Sequence, residues 1–124
     1  MVQILIVEDE QAIREALKEI LEMSGYKVIT ANNGKEGYER VLDNKPDLIL
    51  SDINMPEWNG YELLAAINKL FKDTVSPIFI FLTARLEKYD ARQAMEMGAN
   101  AYINKPYHHT ELLSIIASQL NERI

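Results

Sequence analysis

The 124-residue chain contains no cysteine, which removes disulfides, zinc-thiolate sites and thiol nucleophiles from consideration. Positive charge is the scarcer sign, with 13 Lys and Arg against 19 Asp and Glu and a formal net charge of −6. That balance argues against nucleic acid or an anionic membrane as a direct partner. No apolar stretch approaches the roughly 20 residues needed to span a bilayer. The N-terminus lacks a basic segment followed by an apolar run, so no signal peptide is read and a cytoplasmic location is expected. The few glycines form neither GxGxxG nor a GxxxxGK phosphate loop, which leaves nucleotide binding without support.

What is present is an ordinary globular composition, 48% hydrophobic and 26% charged, in a chain long enough for one domain over 1–124. Residues 2–7 form an apolar, β-branched run that stops at Glu8-Asp9-Glu10. Ala12, Ile13, Ala16, Leu17, Ile20 and Leu21 then recur at helical spacing, and Gly25 follows as a stop. A second strand is expected over 26–31 and a second helix over 34–43, where Asn33 and Glu36 have capping-box spacing. The run Leu48-Ile49-Leu50-Ser51 reads as a strand buried on both faces and leads straight into Asp52.

Gly60 opens a third helix with Leu63, Leu64, Ile67 and Leu70 expected inward, beside Phe71. A fourth strand over 78–82 ends in Thr83-Ala84. A helix over about 87–97 is expected to turn Ala91, Ala94 and Met95 inward, and Met97 reads as packing. A short strand over 101–103 leads to Asn104-Lys105-Pro106, and a helix over about 108–122 carries Leu112, Leu113, Ile116, Ala117 and Leu120. Strand and helix alternate five times, which implies right-handed crossovers and a parallel sheet covered on both faces. The expected fold is a doubly wound, flavodoxin-like α/β sandwich of three layers, with strand order 2-1-3-4-5 taken by analogy.

In such a sheet every strand's carboxyl end lies on one rim. Glu8 and Asp9 after the first strand, Asp52 after the third, Thr83 at the fourth and Lys105 after the fifth would therefore meet. Three carboxylates side by side repel one another, and a hard divalent cation such as Mg²⁺ resolves the conflict. Lys105 supplies a point positive charge and Thr83 a hydroxyl donor. An ionised carboxylate needs no base to attack phosphorus, so the rim suits transfer of a phosphoryl group to Asp52.

Taken in order, ILIVEDE, PDLILSDINMP, FLTA, GANAYINKP and the closing amphipathic helix closely resemble the receiver domain of bacterial two-component response regulators. The resemblance covers essentially the whole chain. It implies that Asp52 accepts phosphate from the phosphohistidine of a sensor histidine kinase or histidine phosphotransfer protein. Asp9 corresponds to a direct Mg²⁺ ligand (Mn²⁺ can substitute), Glu8 to its water-mediated partner, and Asn54 to the donor of a backbone carbonyl. Thr83 and Tyr102 correspond to the switch pair, Lys105 to the phosphate-contacting lysine, and the bond to Pro106 to a cis peptide. Asn54 and Arg85 flank the path of attack. An output protein or domain and a phosphorylation-dependent homodimer are the implied partners, and catalysis is confined to the domain's own phosphorylation and dephosphorylation.

Departures from the family pattern are Glu8 for the commoner Asp, Gly37 for Ala, Trp58 and Asn59 for smaller or acidic residues, and Tyr107 for Phe. Trp58 suits either a partner surface or loop packing. Adjacent His108 and His109 have poor metal-ligand spacing. A haloacid-dehalogenase-type phosphatase would want Asp rather than Asn54, and a flavin site would be repelled by the acidic turn at 8–10. A degenerate receiver serving only as an interaction module would normally have lost Asp52 or Lys105, and both stand in place.

Overall fold

Side-chain alternation along the strands sorts the core into two halves. A computed structural model describes residues 1–83 and 88–123. In it β1 (Gln3–Val7) sends Ile4 and Ile6 to one face and Leu5 and Val7 to the other, all fully buried. The same alternation in β3 (Leu48–Ser51) and β4 (Ile78–Thr83) puts Leu48, Leu50, Ile78 and Ile80 on the first face and Ile49, Phe79 and Phe81 on the second. Continuous apolar runs are what a sheet covered on both sides requires.

The helices supply the covers. Helices α1 (Gln11–Met23) and α5 (His109–Asn121) place Leu17, Leu21, Leu112 and Ile116 on the first face. Helices α2 (Gly34–Asn44), α3 (Gly60–Leu70) and α4 (Lys88–Glu96) place Val41, Leu63, Leu64, Ile67 and Ala94 on the second. Each of these Val, Leu and Ile side chains contributes roughly 1.5–3 kcal/mol through removal from water. With β2 (Lys27–Ala31) and β5 (Ala101–Asn104), the strands form one parallel sheet in the order β2-β1-β3-β4-β5. Among the described residues, no helix is long and apolar enough to cross a membrane.

Local chemistry sets the ends. Asn33 accepts the Glu36 amide at 2.8 Å, as its spacing suggests. The fully reciprocal capping box lies instead at α3, where Asn59 and Glu62 exchange bonds of 2.9 Å. Two inward assignments are corrected. Leu70 is 40% exposed because it ends α3, and Met95 is 46% exposed because it lies beside the inward position that Ala94 fills. Met97 does pack against the second face. Trp58 is half-buried and packs against Tyr38, with ring centroids 5.6 Å apart. Ala84, Arg85 and the side chain of Ala91 lie outside the described residues.

Candidate functional site

Strand register assembles the rim. Val7 pairs with Ser51, Ser51 with Phe81, and Thr83 with Asn104, so the residues that follow each strand emerge at one edge. Pairing persists just past the strand ends: the Asp52 amide donates to the Val7 carbonyl at 3.1 Å, the Glu8 amide to Ala31 at 3.1 Å, and the Lys105 amide to Thr83 at 2.7 Å. Glu8, Asp9, Asp52, Thr83 and Lys105 are thereby drawn to the carboxyl end of the sheet, where doubly wound folds hold their ligands.

Carboxylate oxygens of Glu8, Asp9 and Asp52 lie within 4.8 Å of one another. The Lys105 ammonium sits 3.2 Å from Glu8 Oε1 and 3.7 Å from Asp52 Oδ2, a cation lodged between two acids. Asp52 is held in place by two further bonds. Its Oδ1 accepts the Ile53 amide at 2.7 Å, and its carbonyl accepts the Ser51 hydroxyl at 2.8 Å. Asp52 keeps one side open, whereas Glu8 is only 2% exposed. The loop after Asp52 carries Asn54 with its side chain exposed. It is clipped to α2 by the Lys35 amide, which donates to the Glu57 carbonyl at 3.1 Å, and it holds Glu57 and Trp58 at positive φ (45° and 74°).

Electrostatics follow burial. Glu8 is pushed up to about 7, first by burial and then by the neighbouring Asp52 charge, with Lys105 pulling the other way. Burial alone would lower the Lys105 ammonium, but Asp52 and Glu8 outweigh it and hold its pKa above the ordinary lysine value. Tyr107, half-buried beside this lysine, has its hydroxyl raised by desolvation. A buried acid that resists ionisation beside two others marks a site with a deficit of positive charge. Hard oxygen donors in this number fit a small divalent cation.

Glu8, Asp9, Asp52, Thr83 and Lys105, singled out from the sequence, all lie at the rim, and the Lys105–Pro106 peptide is cis. Tyr102, on β5, is 38% exposed. His109 lines a cavity of about 560 Å³ between α1 and α5, together with Ile20, Met23 and Leu113, and that cavity includes none of the rim side chains. Sequence reasoning missed Arg14, whose guanidinium Nη1 donates to the Glu8 carbonyl at 2.9 Å and the Asp9 carbonyl at 3.5 Å. In the sequence it is one charge among several on α1, with nothing to distinguish it.

Known proteins match this arrangement. The family model described as "Response regulator receiver domain" matches residues 4–117. The transcriptional regulatory protein DltR of Streptococcus agalactiae is 40% identical over 114 residues, covering 92% of this chain and 50% of that protein. CpxR of Escherichia coli is 38% identical over 120 residues, covering 97% and 50% respectively. The chain thus spans about half the length of these relatives. Among solved structures, a CheY-like receiver domain protein from Methanospirillum hungatei has a TM-score of 0.89 at 34% identity, covering 98% of this chain and 95% of that one. TrrA from Thermotoga maritima, solved in complex with Mg²⁺-BeF, has a TM-score of 0.83 at 35% identity, covering 95% and 98%. The flavodoxin-like order, the acidic rim with its lysine and these matches together make the chain a member of the response regulator receiver domain family of two-component systems.

Proposed function

We propose that residues 1–124 act as a single receiver unit in which Asp52 accepts a phosphoryl group from a histidine kinase or histidine phosphotransfer protein. The observation that carries this reading is the Lys105 ammonium, 3.2 Å from Glu8 and 3.7 Å from Asp52, beside a three-carboxylate cluster. Asp52 is the acid whose carboxylate is both oriented, by the Ile53 amide, and partly open to an incoming phosphorus.

Glu8, Asp9, Asp52 and the backbone carbonyl of Asn54 would hold Mg²⁺, whose charge would offset that of the carboxylates and of the phosphoryl oxygens. The chain's own groups account for the rest. Asp52 Oδ2, facing Lys105, is the attacking oxygen, because Oδ1 is occupied by the Ile53 amide. Lys105 neutralises charge as it spreads over the equatorial oxygens, and the buried Thr83 supplies a hydroxyl at the end of the adjoining strand. The added charge on Asp52 is the signal. In this reading Thr83 moves toward it and Tyr102 turns in, remodelling the face formed by α4, β5 and α5 for an output partner or a second copy of the chain. The chain's chemistry is then confined to its own phosphorylation and dephosphorylation.

The test is labelling with acetyl phosphate in the presence of Mg²⁺, read by intact mass. One phosphoryl group per chain is expected, lost in Asp52→Asn and lost on chelation. Undiminished labelling of Asp52→Asn would mean that another residue is the acceptor.

A further inference from the structure

We infer that Arg14 is a positioning residue for the cation site, fixing from α1 the loop that presents Glu8 and Asp9. This rests on the metal-binding reading above and goes beyond it, since Arg14 contacts no proposed ligand atom.

The loop between β1 and α1 is short of backbone partners. Pairing with β2 ends where the Glu8 amide meets the Ala31 carbonyl, and the helical ladder begins at the Glu10 carbonyl, which accepts the Arg14 amide at 3.0 Å. The carbonyls of Glu8 and Asp9 fall between these two systems, outside strand and helix alike. Glu10, the N-cap of α1, makes no side-chain cap bond either. One turn into the helix, the Arg14 side chain folds back and donates to both stranded carbonyls, at 2.9 Å and 3.5 Å. Both bonds come from one nitrogen, Nη1, which the planar, permanently charged guanidinium aims and carries one bond farther from the backbone than a lysine ammonium. The two carbonyls belong to the very residues whose carboxylates meet Asp52. Holding their backbone fixes the direction in which those carboxylates leave the chain, as partners behind a ligand commonly do.

Charge and geometry predict opposite outcomes. A fixed positive charge bonded to this loop repels a divalent cation, so on electrostatic grounds alone its removal should tighten cation binding. If Arg14 acts by positioning, its removal should weaken binding despite that relief.

Calorimetric titration of the full chain with Mg²⁺ distinguishes the two, with no activity readout needed. The positioning role predicts that Arg14→Gln weakens Mg²⁺ binding about 10-fold, and that Arg14→Lys, which restores the charge but neither the reach nor the planar aim of Nη1, recovers it only in part. Arg123→Gln is the control. It removes an equal charge and another side-chain bond to a carbonyl, that of Ser76 just before β4 at the opposite end of the sheet. It should leave Mg²⁺ affinity unchanged. Tighter or unchanged binding by Arg14→Gln overturns the inference, and so does full recovery in Arg14→Lys. A weakening matched by an equal effect of Arg123→Gln also overturns it, because a general loss of stability would then be the cause. Failure of the unsubstituted protein to bind Mg²⁺ would instead defeat the metal-binding reading. Should Arg14→Gln not fold, the Arg14→Lys titration decides alone, with wild-type affinity counting against the inference.

Discussion

Lys105 and Glu8 are 97 positions apart in sequence and meet at 3.2 Å. Glutamate has one more methylene than aspartate, and here that length carries the Glu8 carboxylate from the end of β1 to the ammonium after β5. The lysine thereby balances two acids, which links the segments after β1 and β5 to the central Asp52.

Replacing Lys105 with Met should separate its two tasks. Labelling of Asp52 by acetyl phosphate should slow on the order of 100-fold, the usual effect of losing a group that stabilises transferring charge. Mg²⁺ should bind more tightly, because a competing positive charge has left the acidic cluster. Rate measurement at saturating Mg²⁺, alongside calorimetry, checks both. Labelling at the normal rate would remove Lys105 from the phosphoryl-transfer step.

A pH dependence follows from Glu8. Its carboxyl is raised from 4.5 in the unfolded chain to about 7 in the fold, so between those values the folded protein holds the extra proton. The stabilisation is complete below 4.5 and is lost as pH rises through 7. Without metal, Tm should therefore fall from acid to neutral pH more steeply in the native protein than in Glu8→Gln. Saturating Mg²⁺, which requires the ionised acids, should add progressively more stability across the same window. Parallel Tm profiles for the two proteins would contradict the assignment.

Gly60 faces a different constraint. A methyl group there would collide with the Asp52 carbonyl oxygen and lie 2.9 Å from the Phe81 ring, at the point where the Gly60 amide donates to Ile53 at 2.7 Å. Gly60→Ala should cost about 2 kcal/mol through overpacking, lowering Tm by roughly 5–10 °C. Labelling should slow as well, because relief of the clash displaces Asp52. Thermal melts and acetyl phosphate kinetics measure the two effects.

The fold was readable because its strands are apolar runs and its helices carry spaced apolar faces. Ile4 to Val7 and Leu48 to Leu50 announce buried strands, and right-handed crossovers then leave few topologies. Convergence of Glu8, Asp9, Asp52 and Lys105 was legible once the strands were taken as parallel, while strand order and individual roles came from family resemblance. Helix ends were harder. Leu70 and Met95 satisfy the spacing rule, yet exposure there depends on where each helix stops and on what already fills the neighbouring position. Arg14 was invisible for a related reason: its partners are backbone carbonyls, which have no sequence signature. The positive φ values at Glu57 and Trp58 were hidden too, because neither residue type favours that conformation.

The loop following Asp52 is pinned to α2 through Trp58, whose ring rests on Tyr38 and whose backbone abuts Gly34. Trp58 is also the single tryptophan of the chain. Its indole emission therefore comes from one known place beside the reactive edge, and any shift of that loop alters the polarity around it. The molecule carries an intrinsic optical gauge, readable in a cuvette without dyes or labels.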